Sequence, residues 1–223
     1  MIRPLTFITL VIGILTSVSI GTRFYLFGDV TLVYAVLGVF LSINLLICYW
    51  EICLFLQRSY VTSRSEYWHQ WHLATGKTPH AAFFLERIPW SKVLSPTTWA
   101  DVWATYAQYD PAFADRRTFS FNVDVGNGFV TPLPTLALYI AIATESIAPL
   151  LIGVIGLMVF WQWTYMTSIY FVSFFVAGRH INLSRRDLWL YVVGFNAPWV
   201  LIPLLGLYVS FRLVADGSYS VLS

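Results

Sequence analysis

Two carboxylates, each inside a stretch that otherwise reads as hydrocarbon-compatible, are the residues of this sequence best placed to do chemistry. Asp124 lies in Phe119 to Leu138, FSFNVDVGNGFVTPLPTLAL, and Glu51 lies in NLLICYWEICLF, residues 44–55. A carboxylate on a transmembrane helix costs about 2.5 to 3.5 kcal/mol on insertion scales, so its default reading is a functional one. Helical spacing puts Asp124, Asn127 and Thr131 on one face, with Asn122 nearby, and makes a polar stripe of Asn44, Cys48 and Glu51. Gly126 and Gly128 would let another helix come close, and Pro132 and Pro134 break the backbone ladder. Two acids in one dry cavity cannot both ionise cheaply, so the expected state is one protonated acid beside one carboxylate. Such a pair can give a proton to a poor base such as an alkene and take one back. The plainer reading is that each acid, close to the end of its helix, snorkels to the membrane boundary. Matching depths in the two segments favour a shared site.

Other polar residues fall on the same kind of helix. In GFNAPWVLIP, residues 194–203, helical spacing aligns Asn196, Trp199 and Pro203. An indole face stabilises a desolvated cation by roughly 2 kcal/mol or more, although packing between helices is the commoner use of tryptophan. Gln162, Thr164, Thr167 and Ser168 are expected to bond between helices. Thr98 to Tyr109 aligns Trp99, Val102, Trp103 and Tyr106 on one face, with Ser95 or Thr97 near the N-cap, which predicts a surface helix able to lid the pocket.

These residues need spans to hold them, and the composition supplies them. Of 223 residues 58% are hydrophobic, 18% aromatic and only 11% charged, too apolar for a soluble domain. The chain reads as an all-α integral membrane protein and a single membrane domain over residues 1–223. Five segments reach the ~20 residues that cross a hydrocarbon core. They are about Leu5 to Phe27, Val30 to Leu56, Phe119 to Ile142, Ile147 to Ala177 and Leu188 to Val214, arranged as a bundle around a ligand cavity. The first resembles a secretory signal but lacks an A-x-A-like cleavage site, so a retained helix is expected. Residues 57–118 form an interfacial helical loop between the second and third spans. Within it Glu66 to His72, EYWHQWH, has the aromatic density of a headgroup-level segment.

Charge orients this arrangement. With five spans, one side carries eleven of the thirteen basic residues, leaving Arg23 and Arg212 on the other. That places the N-terminus and the 57–118 loop in the cytosol, where the Asn182-Leu183-Ser184 sequon stays unmodified. A net charge of only +2 without a basic aromatic patch excludes nucleic acid as a partner. Cys48 and Cys53 read as buried small hydrophobes and not as a disulfide. His69, His72 and His80 with Glu66 lack the spacing of a zinc motif, so no metal and no other cofactor are expected.

Three stretches resemble the EXPERA superfamily, which includes sterol Δ8-Δ7 isomerases and the sigma-2 receptor. VWATYAQYD before FSFNVDVGNG is similar to the family's W-x-x-Y-A-x-x-D run before an acidic third span, CYWEICLF resembles its acid-bearing second span, and FNAPWVLIP its last. The resemblance implies membrane helices around a cavity for a sterol-like or cationic amphiphilic ligand. Glu51 and Asp124 would then handle protons, Trp199 would wall the cation and Asn196 would hydrogen-bond the ligand. Asn127, Asn44, Tyr106 and Trp103 complete the expected binding residues. Three positions depart from the isomerase pattern: Ile47 stands where a histidine is expected, Asp124 where glutamate is, and Thr167 where an acid is.

The leading expectation is a sterol or terpenoid double-bond isomerase working through a carbocation. A non-catalytic binder of sterol, lipid or cationic amphiphile is the alternative, and an acid-initiated terpenoid cyclase the third, with Trp50-Glu51 as its pointer. Expected partners are a hydrophobic small molecule and membrane lipid, with a homodimer left open. The expected membrane is the endoplasmic reticulum in a eukaryote and the cytoplasmic membrane in a bacterium.

Overall fold

The computed structural model describes all 223 residues. It is all-helical, with helix over 82% of the chain and no strands. The helices are α1 (Pro4–Phe27), α2 (Leu32–Leu56), α3 (Arg58–Thr75), α4 (Pro79–Leu85), α5 (Pro96–Tyr106), α6 (Phe119–Val130), α7 (Pro132–Thr144), α8 (Pro149–Val176) and a last span, Arg185–Asp216. Four of these, α1, α2, α8 and the last span, are long and apolar enough to cross a membrane. A fifth is made if α6 and α7, which bend by 55° at their junction, count as one. The chain is an integral membrane protein. Outward-facing Leu5, Leu10, Ile14 and Val18 on α1 present the apolar surface that lipid requires.

The bend falls where the sequence predicts a broken ladder. Pro132 has no N–H to give, so α6 stops at Val130 and Thr131 becomes the N-cap position of α7. Thr131 is therefore not on the Asp124 face, because that face ends with α6. The last span carries its own irregularity, a π-helical stretch at Leu188–Val193.

The chain divides into two compact units. The first comprises Met1–Val11, Ile47–Phe129 and Val172–Val192, and α5 is its core. The predicted surface helix is enclosed instead: every residue from Trp99 to Tyr106 is buried, the polar face included. Its buried Asp101 explains how. That carboxylate accepts from Arg64 Nε and Trp68 Nε1 at 2.8 Å and from the Tyr60 hydroxyl at 3.3 Å, three donors from α3. On the opposite side Trp99 packs against Phe7 and stacks on Trp50. A buried carboxylate is tolerated only when its lone pairs are satisfied, so α3 closes over α5 and the surface expectation fails. Ser95 occupies the N-cap position but makes no side-chain cap.

The second unit comprises Ile12–Leu46, Val130–Phe171 and Val193–Ser223. Its apolar core gathers Tyr34, Leu37, Phe40 and Leu41 of α2 with Leu138, Ile142, Val159, Trp163, Val209 and Leu213. Gly153 lets α8 meet the last span, since a Cβ there would lie 2.8 Å from the Ser210 carbonyl oxygen. Arg23, counted from the sequence among the boundary charges, is fully buried and pairs with Glu145 at 2.8 Å. Thr164 and Ser168 were expected to bond between helices, but their hydroxyls donate to Phe160 and Thr164 carbonyls of their own helix, at 2.9 and 2.7 Å. Cys48 and Cys53 are buried and form no disulfide.

Candidate functional site

Glu51 reaches the interior of the first unit from the last two turns of α2 and is only 5% exposed. The element against it is α6. This helix starts after Thr118, whose hydroxyl oxygen accepts the Phe121 N–H, while the Asn122 amide donates to the Arg116 and Thr118 carbonyls. Asn122 thus fastens the start of α6 and is exposed, away from the acids. Asp124, Asn127 and Gly128 follow at i, i+3 and i+4, one face of the helix.

Gly128 decides how close that face comes. An added Cβ would stand 2.8 Å from the Ile52 nitrogen and 2.9 Å from both the carbonyl carbon and the Cβ of Glu51, so the two helices touch backbone to backbone. Gly126, by contrast, faces open space. With the helices this near, Asn127 hydrogen-bonds the Glu51 carboxyl and Asp124 lies within electrostatic reach of it. An amide suits a carboxyl in either state, since its NH2 donates to a carboxylate and its oxygen accepts from an acid.

A third carboxylate joins them. Asp110, the last residue of the W-x-x-Y-A-x-x-D run, is fully buried and within electrostatic reach of Asp124. Both of its oxygens accept from Arg179 Nη1, at 2.7 and 2.9 Å, and one also accepts the Ala112 N–H. Arg179 Nη2 donates to Ser173 at 3.0 Å, and its Nη1 approaches Ser120 of α6 at 3.4 Å. The guanidinium neutralises Asp110 and leaves Glu51 and Asp124 without a cation of their own. Sequence position alone does not mark this pair as belonging to the site, since 69 residues separate the two, although Asp110 ends the W-x-x-Y-A-x-x-D run.

The remaining predicted residues separate into two sets. Trp103 and Tyr106 share the first unit with the acids, but their polar atoms are used in packing. Trp103 Nε1 donates to the Trp50 carbonyl at 2.9 Å and its ring stacks on Phe113, while the Tyr106 hydroxyl donates to the Tyr191 carbonyl at 3.3 Å. Asn44, Trp199 and the half-buried Asn196 belong to the second unit. There Trp199 Nε1 donates to Asn44 Oδ1 at 2.9 Å, and Asn44 is fixed by donating to the Phe40 carbonyl at 2.7 Å.

His80 of α4, grouped in the sequence with His69 and His72, is buried apart from them inside the first unit. Its Nδ1 lies 2.9 Å from Thr105 Oγ1, whose own hydrogen is committed to the Asp101 carbonyl at 2.7 Å, so Nδ1 carries the proton and donates. Phe84, Tyr106, Tyr109 and Tyr191 surround the ring. Burial among them pulls the imidazole down from 6.5 to about 4. The folded protein therefore keeps His80 neutral where the unfolded chain takes up a proton. Stability is unaffected above pH 6.5, falls between pH 6.5 and 4, and levels off below 4, a loss of about 3 kcal/mol in all. Denaturation midpoints across that range should show this slope in the native protein and a flatter one in His80→Gln. Equal slopes would reject the assignment.

Over 112 residues, 50% of this chain and 51% of the relative, the protein is 28% identical to an isomeliandiol synthase of Melia azedarach. Over the same shares it is 29% identical to a protoglabretal synthase of Citrus sinensis. The chain thus spans about half the length of the curated relatives it matches. No solved structure matches it. The pattern of the EXPERA family (EXPanded EBP superfamily) matches residues 97–210, a stretch that contains Asp110, Asp124, Asn127, Arg179, Asn196 and Trp199 but neither Glu51 nor Asn44. With Asp124 and its neighbours inside that match, and with α2 bringing Glu51 to them from outside it, this membrane protein belongs to the EXPERA superfamily.

Proposed function

We propose that this protein shifts a double bond in a sterol or other terpenoid held in a cavity of a five-span bundle, with Glu51 and Asp124 moving the protons. The protonated member of the pair gives its proton to one alkene carbon, forming a C–H bond and leaving a tertiary carbocation on the other. The carboxylate member removes a proton from a carbon next to the cation, and those C–H electrons become the new double bond. Substrate and product are isomers, and the pair ends with one proton, ready for another turn. Asn127 holds the Glu51 carboxyl through both states, and Arg179 keeps Asp110 from adding a further negative charge.

The observation that carries this reading is the backbone contact through Gly128, which sets a buried Glu51 against the Asp124 and Asn127 face. A buried Glu51 facing a half-buried Asp124, with no cation paired to either, is suited to protonating a weak base. That both curated relatives are named as synthases supports a catalyst over a passive binder. Trp199 belongs to the second unit, where its indole N–H is already bonded to Asn44. The bend at Thr131 lets α6 and α7 serve as one span, with the N-terminus in the cytosol on the basic-residue count.

The test is solvent deuterium incorporation. Purified protein incubated with its co-purified lipid in D2O should place deuterium at carbon, and Glu51→Gln or Asp124→Asn should slow this by about 10²- to 10⁴-fold. If both variants convert substrate at the native rate, the catalytic assignment is wrong. Tight binding of an amphiphilic amine, lost in Asp124→Asn and without any exchange, would establish the binder instead.

A further inference from the structure

The loop at residues 86–95, between α4 and α5, is tied down at three points. Ile88 and Ile2 exchange two backbone hydrogen bonds of 2.9 Å. The Val93 carbonyl accepts from the Trp99 indole at 2.8 Å, and the Leu94 carbonyl accepts from the Tyr49 hydroxyl at 2.6 Å. Val93 itself is buried. A 3-10 turn, Trp90–Lys92, fills the space between the ties.

Despite these ties the loop directs its large apolar side chains outward. Trp90 is 60% exposed and Leu94 69%, with Leu85 of α4 beside them at 52%. A backbone pinned in this way cannot fold them in, and leaving such apolar side chains in water is unfavourable. Around them Arg3, Arg87 and Lys92 are exposed, against one acid, Glu86.

The ties also fix the depth of the loop. Ile2 lies two residues before the start of α1, and Tyr49 lies seven residues, about 10 Å, before the end of α2. Both are membrane-spanning helices, so the loop is held where they leave the bilayer. An outward tryptophan flanked by arginine and lysine at that level matches the boundary between headgroups and acyl chains. A second copy of the chain is a poorer occupant, because a two-fold contact would set Arg3, Arg87 and Lys92 against their own likenesses.

We propose that this loop is a docking surface for anionic phospholipid, with Trp90 and Leu94 entering the headgroup and acyl boundary and Arg3, Arg87 and Lys92 meeting the headgroup charges. Attraction of this kind is worth about a fivefold preference per basic residue and weakens as salt rises. It anchors the segment that leads into α5, and it does not depend on the catalytic reading.

The full chain in nanodiscs of phosphatidylcholine, with and without phosphatidylserine, provides the test. The emission of Trp90, taken as native minus Trp90→Phe, should be blue-shifted, quenched by lipids brominated near the headgroup, and protected from aqueous iodide roughly threefold or more. Phosphatidylserine should raise the thermal midpoint of the native protein, and Arg87→Gln with Lys92→Gln should remove that gain while leaving the midpoint in pure phosphatidylcholine unchanged. Trp90 emission open to iodide and indifferent to brominated lipid would overturn the proposal. So would a Trp90 signal that changes only with protein concentration, which would assign the patch to a second copy.

Discussion

Gly128→Ala is expected to cut deuterium incorporation by about ten- to a hundredfold, whereas Gly126→Ala, two residues away on the same helix, should leave it unchanged. The added methyl at Gly128 meets the Ile52 nitrogen and the Glu51 backbone at 2.8 to 2.9 Å, where ordinary contact begins near 3.4 Å. Those neighbours are backbone and cannot rotate away, so α6 must retreat from α2 by roughly half an ångström. Displacement of about 1 Å between reacting groups already costs about a hundredfold. At Gly126 nothing lies within 4 Å, and alanine is the better helix former by about 0.8 to 1 kcal/mol. Its melting point should therefore rise slightly while that of Gly128→Ala falls. Equal behaviour of the two variants, harmless or harmful, would mean that the contact between the acid-bearing helices is not what sets the rate.

The second large effect concerns the ion pair behind the acids. Arg179→Gln should destabilise the protein by about 3 to 5 kcal/mol, because it leaves the fully buried Asp110 carboxylate without its guanidinium. Proton exchange should fall as well, since an unpaired charge at Asp110 lies within reach of Asp124. Adding Asp110→Asn to that variant removes the stranded charge, and an asparagine oxygen can still accept the Ala112 N–H. Unfolding of the four proteins of this cycle in detergent should give a coupling of about 2 kcal/mol or more, with exchange partly restored in the double variant. Strictly additive losses would show that the two residues act separately.

What could be read in advance followed from the cost of polarity in a membrane. Glu51 and Asp124 stood out because each interrupts a run of apolar residues, and Asn127 followed at helical spacing; Gly126 and Gly128 read alike in the sequence, and only Gly128 meets another helix. The bend at Thr131 was legible because a proline cannot donate to the ladder. Asp110 and Arg179 were not, since 69 residues separate them and each has an ordinary role in a loop. Arg23 and Glu145, 122 apart, escaped for the same reason. The Thr98 to Tyr109 helix was assigned to the surface on its aromatic face alone. Its opposite face holds Asp101, which looks like a residue for water until three donors from α3 close over it.

The sequence by itself determined that the chain is helical and lives in a membrane, and that two acids interrupt its apolar segments, because insertion cost and helical period are local properties. Only the tertiary structure decided which side chains those acids meet. That Asn127 serves Glu51, that Arg179 serves Asp110 and that Trp199 serves Asn44 depends on pairings between distant segments. Nothing in the spacing of either partner encodes such a pairing, since it arises when close-packed helices must satisfy every buried polar group at once.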